Sequence, residues 1–469
     1  MNLAELEKIS TQLENLEAEA LNSLRMHCFS FLSKISTQKA YVSPKAELDK
    51  KKTILNQFAV PSGIDRSIEE LFTRLLSSGV NTASGGFLGY VPGGGVPLAA
   101  VGDFISALLN RYSGFYQVSP GNTEIENEMI TWMIREFDFG PKAWGTLTSG
   151  GTIATLSALV VARDQTMAKD YSKLTVYMTE ETHSAVKRSL KVAGLAQAQI
   201  RMIGMNENFQ MDAGDLNSVI SDDVDSGFVP LAVVATAGTT NTGAVDPLRK
   251  ISIVCRQHDV WFHVDGAYGG FFQLTEGGRK KLDGISFADS LVLDPHKSLF
   301  MPYGCGAVLF KDASKARKSF SDQEAYLKEA REGSESSPAD YSIELTRHSR
   351  GPRVWLPFKI FGVDVFRAAL EEKLLLAKLL ANELKQIKDI ELACEPDLSC
   401  VTFRILSDDK KTLELLNFIN DSGEVYLTST RLNELLFIRS CILSFRTHKV
   451  HIDKLLVLIK KFRSSCVDK

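Results

Sequence analysis

The sequence predicts an α/β protein: a mostly parallel sheet covered by helices on both faces, followed by a smaller α+β domain. Three observations carry this expectation. From about residue 144, short apolar runs alternate with helical stretches. Those runs are apolar at every position rather than at every second one, as strands buried on both faces require. Each polar cluster of chemical interest directly follows such a run or opens a helix, where an open parallel sheet gathers its functional loops.

The strands come in order as LTVYM (174–178), LAVVAT (231–236), VWFHVD (260–265) and LVLD (291–294), with helical stretches such as IATLSALVVARD between them. Upstream, residues 3 to 35 carry apolar side chains at helical spacing, led by Leu3, Leu6, Ile9, Leu13 and Leu16. A lysine-rich stretch, 36 to 53, reads as a linker or short helices. PSGIDRSIEELFTRLLSSG reads as a turn and then a helix, with Ser67 and Glu70 spaced as a capping box. The glycine-rich GGFLGYVPGGG, residues 85 to 95, ends this first region. Downstream, SDQEAYLKEAREGSESSPAD (321–340) reads as an exposed, mobile loop. From about 346 the chain is helical again, then strand-like in CVTFRIL and FIRSCILSF, and ends in a helix. The expected division is 1–84, a helical segment; 85–345, the large domain with loop 321–340; and 346–469, the small domain.

Composition narrows the function. With 44% hydrophobic and 24% charged residues in 469, the chain is ordinary globular material. A net charge of -3 offers no basic field for nucleic acid. No apolar run approaches the roughly 18 residues of a membrane span. MNLAELEKIS brings acids early and no apolar core, so it does not read as a signal peptide. Seven cysteines, an odd number without a CxxC, read as reduced thiols of a cytoplasmic protein and not as a metal centre.

Five clusters carry chemistry. In TLTSGGTIATLSALVVAR, Gly150, Gly151 and Thr152 open a helix, which makes either a plain turn with an N-cap or an anion cradle of free N–H groups. His183, in THSAVKRSL, is a helix-start polar cap or a functional imidazole. ATAGTTNTGAVDPL ends a buried strand in small hydroxyl residues, Thr239 and Thr240, which suit a tight connection or close approach of a ligand. Asp265 ends the strand VWFHVD. A carboxylate there needs a cation: an arginine, a metal or a protonated ring nitrogen. In DPHK, Lys297 follows a buried strand. Either it pairs with Asp294, or lost hydration lowers its pKa and frees a nucleophilic amine. An anion cradle, an imidazole, a buried carboxylate and a desolvated lysine in that order match what pyridoxal 5'-phosphate requires.

These segments, with SPGNTEIENEMITWM, HSAV, HVDGAYGG, ADSLVLDPHK and LFIRSCILSFRT, resemble the group II pyridoxal-phosphate-dependent amino acid decarboxylases, from about residue 60 to the C-terminus. The family includes aromatic L-amino acid, histidine, tyrosine and glutamate decarboxylases. The resemblance implies fold-type I (aspartate aminotransferase-like) with a seven-stranded sheet. It implies a homodimer with active sites at the interface, on which segment 1–84 packs, and decarboxylation of an L-amino acid, aromatic in preference to acidic. Lys297 is implied as the Schiff-base lysine, Asp265 as the partner of the pyridine nitrogen, and His183 as the residue stacked on the ring. Gly150, Gly151, Thr152 and His296 are implied around the phosphate, with Thr240 near Asp265 and the ring and Ala267 among the cofactor contacts. Tyr326, 29 residues after Lys297, is implied as the catalytic tyrosine on a loop that closes over the partner's site. Phenylalanine there in relatives favours oxidative chemistry, so amine oxidation, transamination and retro-aldol cleavage stand as the alternative.

Position in the family implies a substrate wall of Tyr90, Val91, Gly93 and Tyr112, with Arg439 either meeting a carboxylate or serving structure. The chain departs from its relatives at Ser84-Gly85, where His-Pro is common, at Ile153 and Thr155, where an acid and an asparagine are common, and at Gly93, where a small hydroxyl residue is common.

Overall fold

The computed structural model of the chain describes residues 18–43, 63–76, 78–321, 336–406 and 408–467. Two short strands, β1 (Tyr41–Val42) and β2 (Gly79–Val80), pair antiparallel near the start. The large sheet then uses β3 (Trp144–Thr148), β4 (Leu174–Met178), β5 (Gln199–Met202), β6 (Val229–Thr236), β7 (Trp261–Gly266), β8 (Ser290–Leu293) and β9 (Gly306–Phe310). Their order across the sheet is β3-β9-β8-β7-β6-β4-β5. All neighbours from β8 to β5 run parallel, and β9 alone runs against both β8 and β3. The sheet is therefore seven-stranded and mostly parallel, as the family resemblance implies.

Both faces of the sheet are covered. Along β8, Leu291 and Leu293 join one apolar cluster with Phe262, Val264 and Phe271, while Val292 joins the opposite one with Val176, Val234 and Val308. Such strands have no solvent face, so a continuous apolar run is what the fold requires of them. A second sheet, in the order β10-β11-β13-β12, is antiparallel and comprises β10 (Ile390–Leu392), β11 (Cys400–Ile405), β12 (Thr428–Leu432) and β13 (Leu435–Cys441). It has its own core, including Leu380, Leu384, Phe403, Ile438 and Ile459. The helix Val363–Lys385 serves both cores: Phe366 and Leu370 pack with the large sheet, Leu380 and Leu384 with the small one.

Ser67 does not cap a helix. The helix Ile64–Leu76 has already begun, and the Ser67 hydroxyl donates back to the Gly63 carbonyl at 2.9 Å. Glu70 instead pairs with Arg74 one turn on. The leucines at 3 to 16 and most of the 36–53 linker lie outside the described residues. Among the described residues, no helix is long and apolar enough to cross a membrane.

Candidate active site

Six strands of the large sheet point their carboxyl ends to one edge, and the turns beyond β3, β4, β6, β7 and β8 build a single pocket. After β3 the chain turns through Ser149 and Gly150 into the helix Gly151–Gln165. Gly150 takes a φ of 151°, open to glycine and strained for other residues. A Cβ on Gly151 would stand 3.0 Å from Asp294 Oδ2, and one on Gly306 2.7 Å from Gly150 Cα. Glycine is thus set here by crowding. The first N–H groups of the helix have no partner within it and face the pocket as an anion cradle.

That turn hangs from an edge strand. Among the described residues the outer side of β3 pairs with no other strand, and side chains take the place of a ladder there. The Leu147 N–H donates to Glu126 Oε1 at 2.9 Å, and Arg347 Nη2 donates to the Leu147 carbonyl at 2.7 Å. Glu126 and Arg347 close the bracket with two hydrogen bonds of 2.9 Å between them, both side chains almost wholly buried.

Beyond β6, the buried Asp246 accepts N–H groups from Thr236 and Met211, each at 2.7 Å, and burial pushes its carboxyl up to about 6. The loop that follows, Thr239–Gly243, is gripped by the small domain. Arg439 donates to the Thr240 carbonyl, and Thr402 Oγ1 donates to the Asn241 carbonyl at 2.8 Å. Beyond β4, His183 caps the helix Ser184–Val192, its Nδ1 accepting the Ala185 N–H at 3.2 Å.

On β7, Asp265 is buried and accepts the Ala267 N–H at 3.1 Å. Beyond β8, Lys297 Nζ lies 3.1 Å from Asp294 Oδ2, and His296 Nδ1 lies 2.6 Å from the Cys305 carbonyl. Burial pushes the His296 imidazole down. The expectation that lost hydration lowers the Lys297 pKa is corrected here. Burial does pull it down, but Asp294 and Asp265 together outweigh that pull and raise it.

These groups line one cavity of about 410 Å³. It brings together all of Gly150, Gly151, Thr152, His183, Thr240, Asp265, Ala267, His296 and Lys297. Sequence reasoning missed Ser149, Thr236 and Tyr268 on its wall. Each is adjacent to a residue it did single out or ends a strand it did read, and that adjacency was the available signal.

The five residues read as substrate contacts do not line this cavity within one chain. Tyr90 is 60% exposed, and Tyr112 donates its hydroxyl to the Leu345 carbonyl at 3.0 Å. Val91 packs against the large core. Gly93 is a backing residue: a Cβ there would stand 2.3 Å from the His296 carbonyl oxygen. Arg439 is buried, with its guanidinium committed to Thr240 and Thr428, which favours the structural alternative. Tyr326 lies outside the described residues.

The donor set fits pyridoxal 5'-phosphate. A glycine-lined helix start with Ser149 and Thr152 beside it suits a phosphate. Asp265 is a buried carboxylate with no cationic side chain bonded to it among the described residues. Among the described residues, Asp294 Oδ1 is buried without a hydrogen-bond partner.

Residues 55–406 match the pyridoxal-dependent decarboxylase conserved domain. The chain is 36% identical over 384 residues to an aromatic-L-amino-acid decarboxylase of Bacillus atrophaeus, covering 80% of each. It is 30% identical over 409 residues to tyrosine decarboxylase 3 of Petroselinum crispum, covering 81% of this chain and 79% of the relative. In fold it is similar to Catharanthus roseus tryptophan decarboxylase, solved with L-tryptophan, at a TM-score of 0.86 and 25% identity over 96% of this chain and 99% of that one. It is likewise similar to the Oryza sativa enzyme solved with PLP and tryptamine, at a TM-score of 0.89 and 24% identity over 96% and 99% of the two chains. With a lysine and a buried carboxylate at the base of a phosphate-fitting pocket, and this match over most of its length, the chain belongs to the pyridoxal-dependent decarboxylase family.

Proposed function

We propose that this chain decarboxylates aromatic L-amino acids to the corresponding amines, as a homodimer holding pyridoxal 5'-phosphate on Lys297. The observation that carries the reading is the placement of Lys297, Asp265 and the Gly150-Gly151-Thr152 turn around one cavity. When bound, the cofactor supplies the sink for the electron pair left as carbon dioxide departs.

The protein's own groups do the rest. The helix start holds the phosphate, and Asp265 holds a proton on the ring nitrogen. His183, Ala267 and Thr240 would serve the ring, and His296 the phosphate. Asp294 positions the Lys297 amine. Tyr326 returns a proton to the substrate carbon. Tyr90, Val91 and Tyr112 serve the substrate side chain across the dimer interface. The aromatic preference rests on relatives named for aromatic substrates. Dimerisation is supported by the helix Pro97–Leu109, which leaves Val101, Phe104, Ile105, Leu108 and Leu109 exposed.

The test is incubation of the purified protein and cofactor with pooled L-amino acids, with mass spectrometry for new amines and carbon dioxide. Aromatic amines with matching carbon dioxide are expected. Amines from acidic or basic amino acids alone would overturn the substrate class, and aldehydes with peroxide would overturn simple decarboxylation.

A further inference from the structure

Two cysteines face each other where the small domain grips the Thr240 loop. Cys400 on β11 is the register partner of Cys441 on β13. The neighbouring hydrogen bonds fix the type of pairing. Ile442 N donates to the Ser399 carbonyl at 2.8 Å, which makes 399 and 442 a hydrogen-bonded pair. Cys441 N turns the other way, to the Leu88 carbonyl at 2.8 Å. On the β11 side, the carbonyl of Thr402, two residues on from Cys400, turns to Ala393 N at 2.8 Å. Cys400 and Cys441 are therefore a non-hydrogen-bonded antiparallel pair. That geometry brings opposed Cα atoms to about 4.5 Å, within the about 4.4–6.8 Å that a disulfide spans. Both thiols are free and at most 1% exposed.

The surroundings make the pair unequal. Cys441 donates its S–H toward Cys400, and Arg439 lies close by. Together they outweigh burial and hold Cys400 below the ordinary thiol range, while burial pushes Cys441 up. Two thiols opposed in register, one of them held below the ordinary range, have the pairing of an attacking and a resolving cysteine, and burial leaves a small peroxide as the oxidant able to reach them. The pair also sits one side chain behind the cavity. Tyr268 lines the cavity, and its hydroxyl lies 2.8 Å from Ser399 Oγ, next to Cys400.

We propose that Cys400 and Cys441 are a modification site that a peroxide converts to a cross-strand disulfide, loosening the small domain's hold on the Thr240 loop and with it the cofactor. Cys400 sulfur attacks one peroxide oxygen, and the O–O bond breaks to leave a sulfenic acid and one water. Cys441 sulfur then attacks Cys400 sulfur, the S–O bond breaks and the second water leaves with the Cys441 proton. Two thiols are oxidised and one peroxide is reduced. The link draws on the strand face that holds the loop: Cys400 Sγ lies 3.7 Å from the Asn241 carbonyl, the same oxygen that accepts from Thr402, and Arg439 two residues before Cys441 holds Thr240. The effect on the cofactor rests on the function proposed above; formation of the link does not.

The experiment treats the holoenzyme with hydrogen peroxide, alkylates free thiols and maps peptides without reduction. A parallel sample follows loss of the cofactor absorbance after dilution. A peptide linked through Cys400 and Cys441, cleaved by dithiothreitol, is expected together with several-fold faster cofactor release. Cys400→Ser and Cys441→Ala should each remove the link and the peroxide effect. Both thiols recovered alkylated after peroxide would overturn the site, and a link with unchanged release would overturn its consequence. Failure of the reduced protein to bind the cofactor at all would instead count against the function, whatever the thiols do.

Discussion

Lys297 Nζ and Asp294 Oδ2 lie 3.1 Å apart, three residues from each other across the one-turn helix Pro295–Ser298. The amine that must act as a nucleophile is thus held charged by a nearly buried carboxylate, with Asp265 adding to the same effect. Asp294→Asn removes the nearer charge and lets burial pull Lys297 down. The pH giving half the rate of cofactor attachment should fall by about 1–3 units. Stopped-flow absorbance of the apoprotein mixed with pyridoxal 5'-phosphate across pH measures it; an unmoved midpoint would remove Asp294 from the control of Lys297.

Asp265→Asn keeps an oxygen for the Ala267 N–H, the hydrogen bond made at 3.1 Å. The melting temperature should therefore change little. Turnover should fall at least about a hundredfold, because a neutral amide cannot hold a proton on the ring nitrogen. Near-native kcat at near-native stability would refute the assigned role.

The Glu126–Arg347 bracket joins residues 221 apart in sequence and ends at Leu147, three residues before Gly150. Arg347→Met leaves a buried carboxylate unpaired and should cost about 3–5 kcal/mol. Adding Glu126→Gln should restore much of it by removing the stranded charge. Urea denaturation of the two variants separates this from a simple packing loss, in which the second change would only add to the first.

The contrast between that bracket and the strands shows what can be read from sequence. LTVYM and LVLD were legible because burial on both faces leaves a continuous apolar run. QIRM, the edge strand β5, was not: its four residues are exposed or half-buried, and a polar edge strand carries no such run. Lys297 was legible as a reactive residue, but its charge state was not. That depends on Asp294 and also on Asp265, which comes from a different strand and reaches the lysine only through the fold. Likewise nothing near Arg439 in sequence announces that it spends its guanidinium on the Thr240 carbonyl.

His263 sits wholly buried on β7, with Nδ1 2.8 Å from Ser290 Oγ, and burial pushes its imidazole down to about 4. Between pH 6.5 and 4 the unfolded chain takes up a proton that the folded one refuses, so acidification through this window costs stability, on the order of 3 kcal/mol in full. Asp246, pushed up to about 6, works in the opposite sense between pH 4 and 6. Comparing the protein with His263→Gln cancels that shared contribution. The variant's urea midpoint should fall less steeply on acidification, and parallel profiles would show that His263 is not buried neutral.

On the helix Pro97–Leu109, the exposed side chains Val101, Phe104, Ile105 and Leu108 follow helical spacing, while Ala99 and Gly102 are buried on its other side. That inner side is crowded, because a Cβ on Gly102 would stand 2.6 Å from the Pro352 carbonyl oxygen. Changes on the outer stripe should spare the fold of one chain and strike only what covers it. Phe104→Glu with Leu108→Lys puts opposite charges one turn apart, which favours the helix by a few tenths of a kcal/mol. The same pair places charges in any apolar interface. Sedimentation should shift from dimer to monomer with the circular dichroism unchanged. Activity should fall with the monomer fraction if Tyr326 is supplied by the partner, and full activity in a proven monomer would place that tyrosine in its own chain's site.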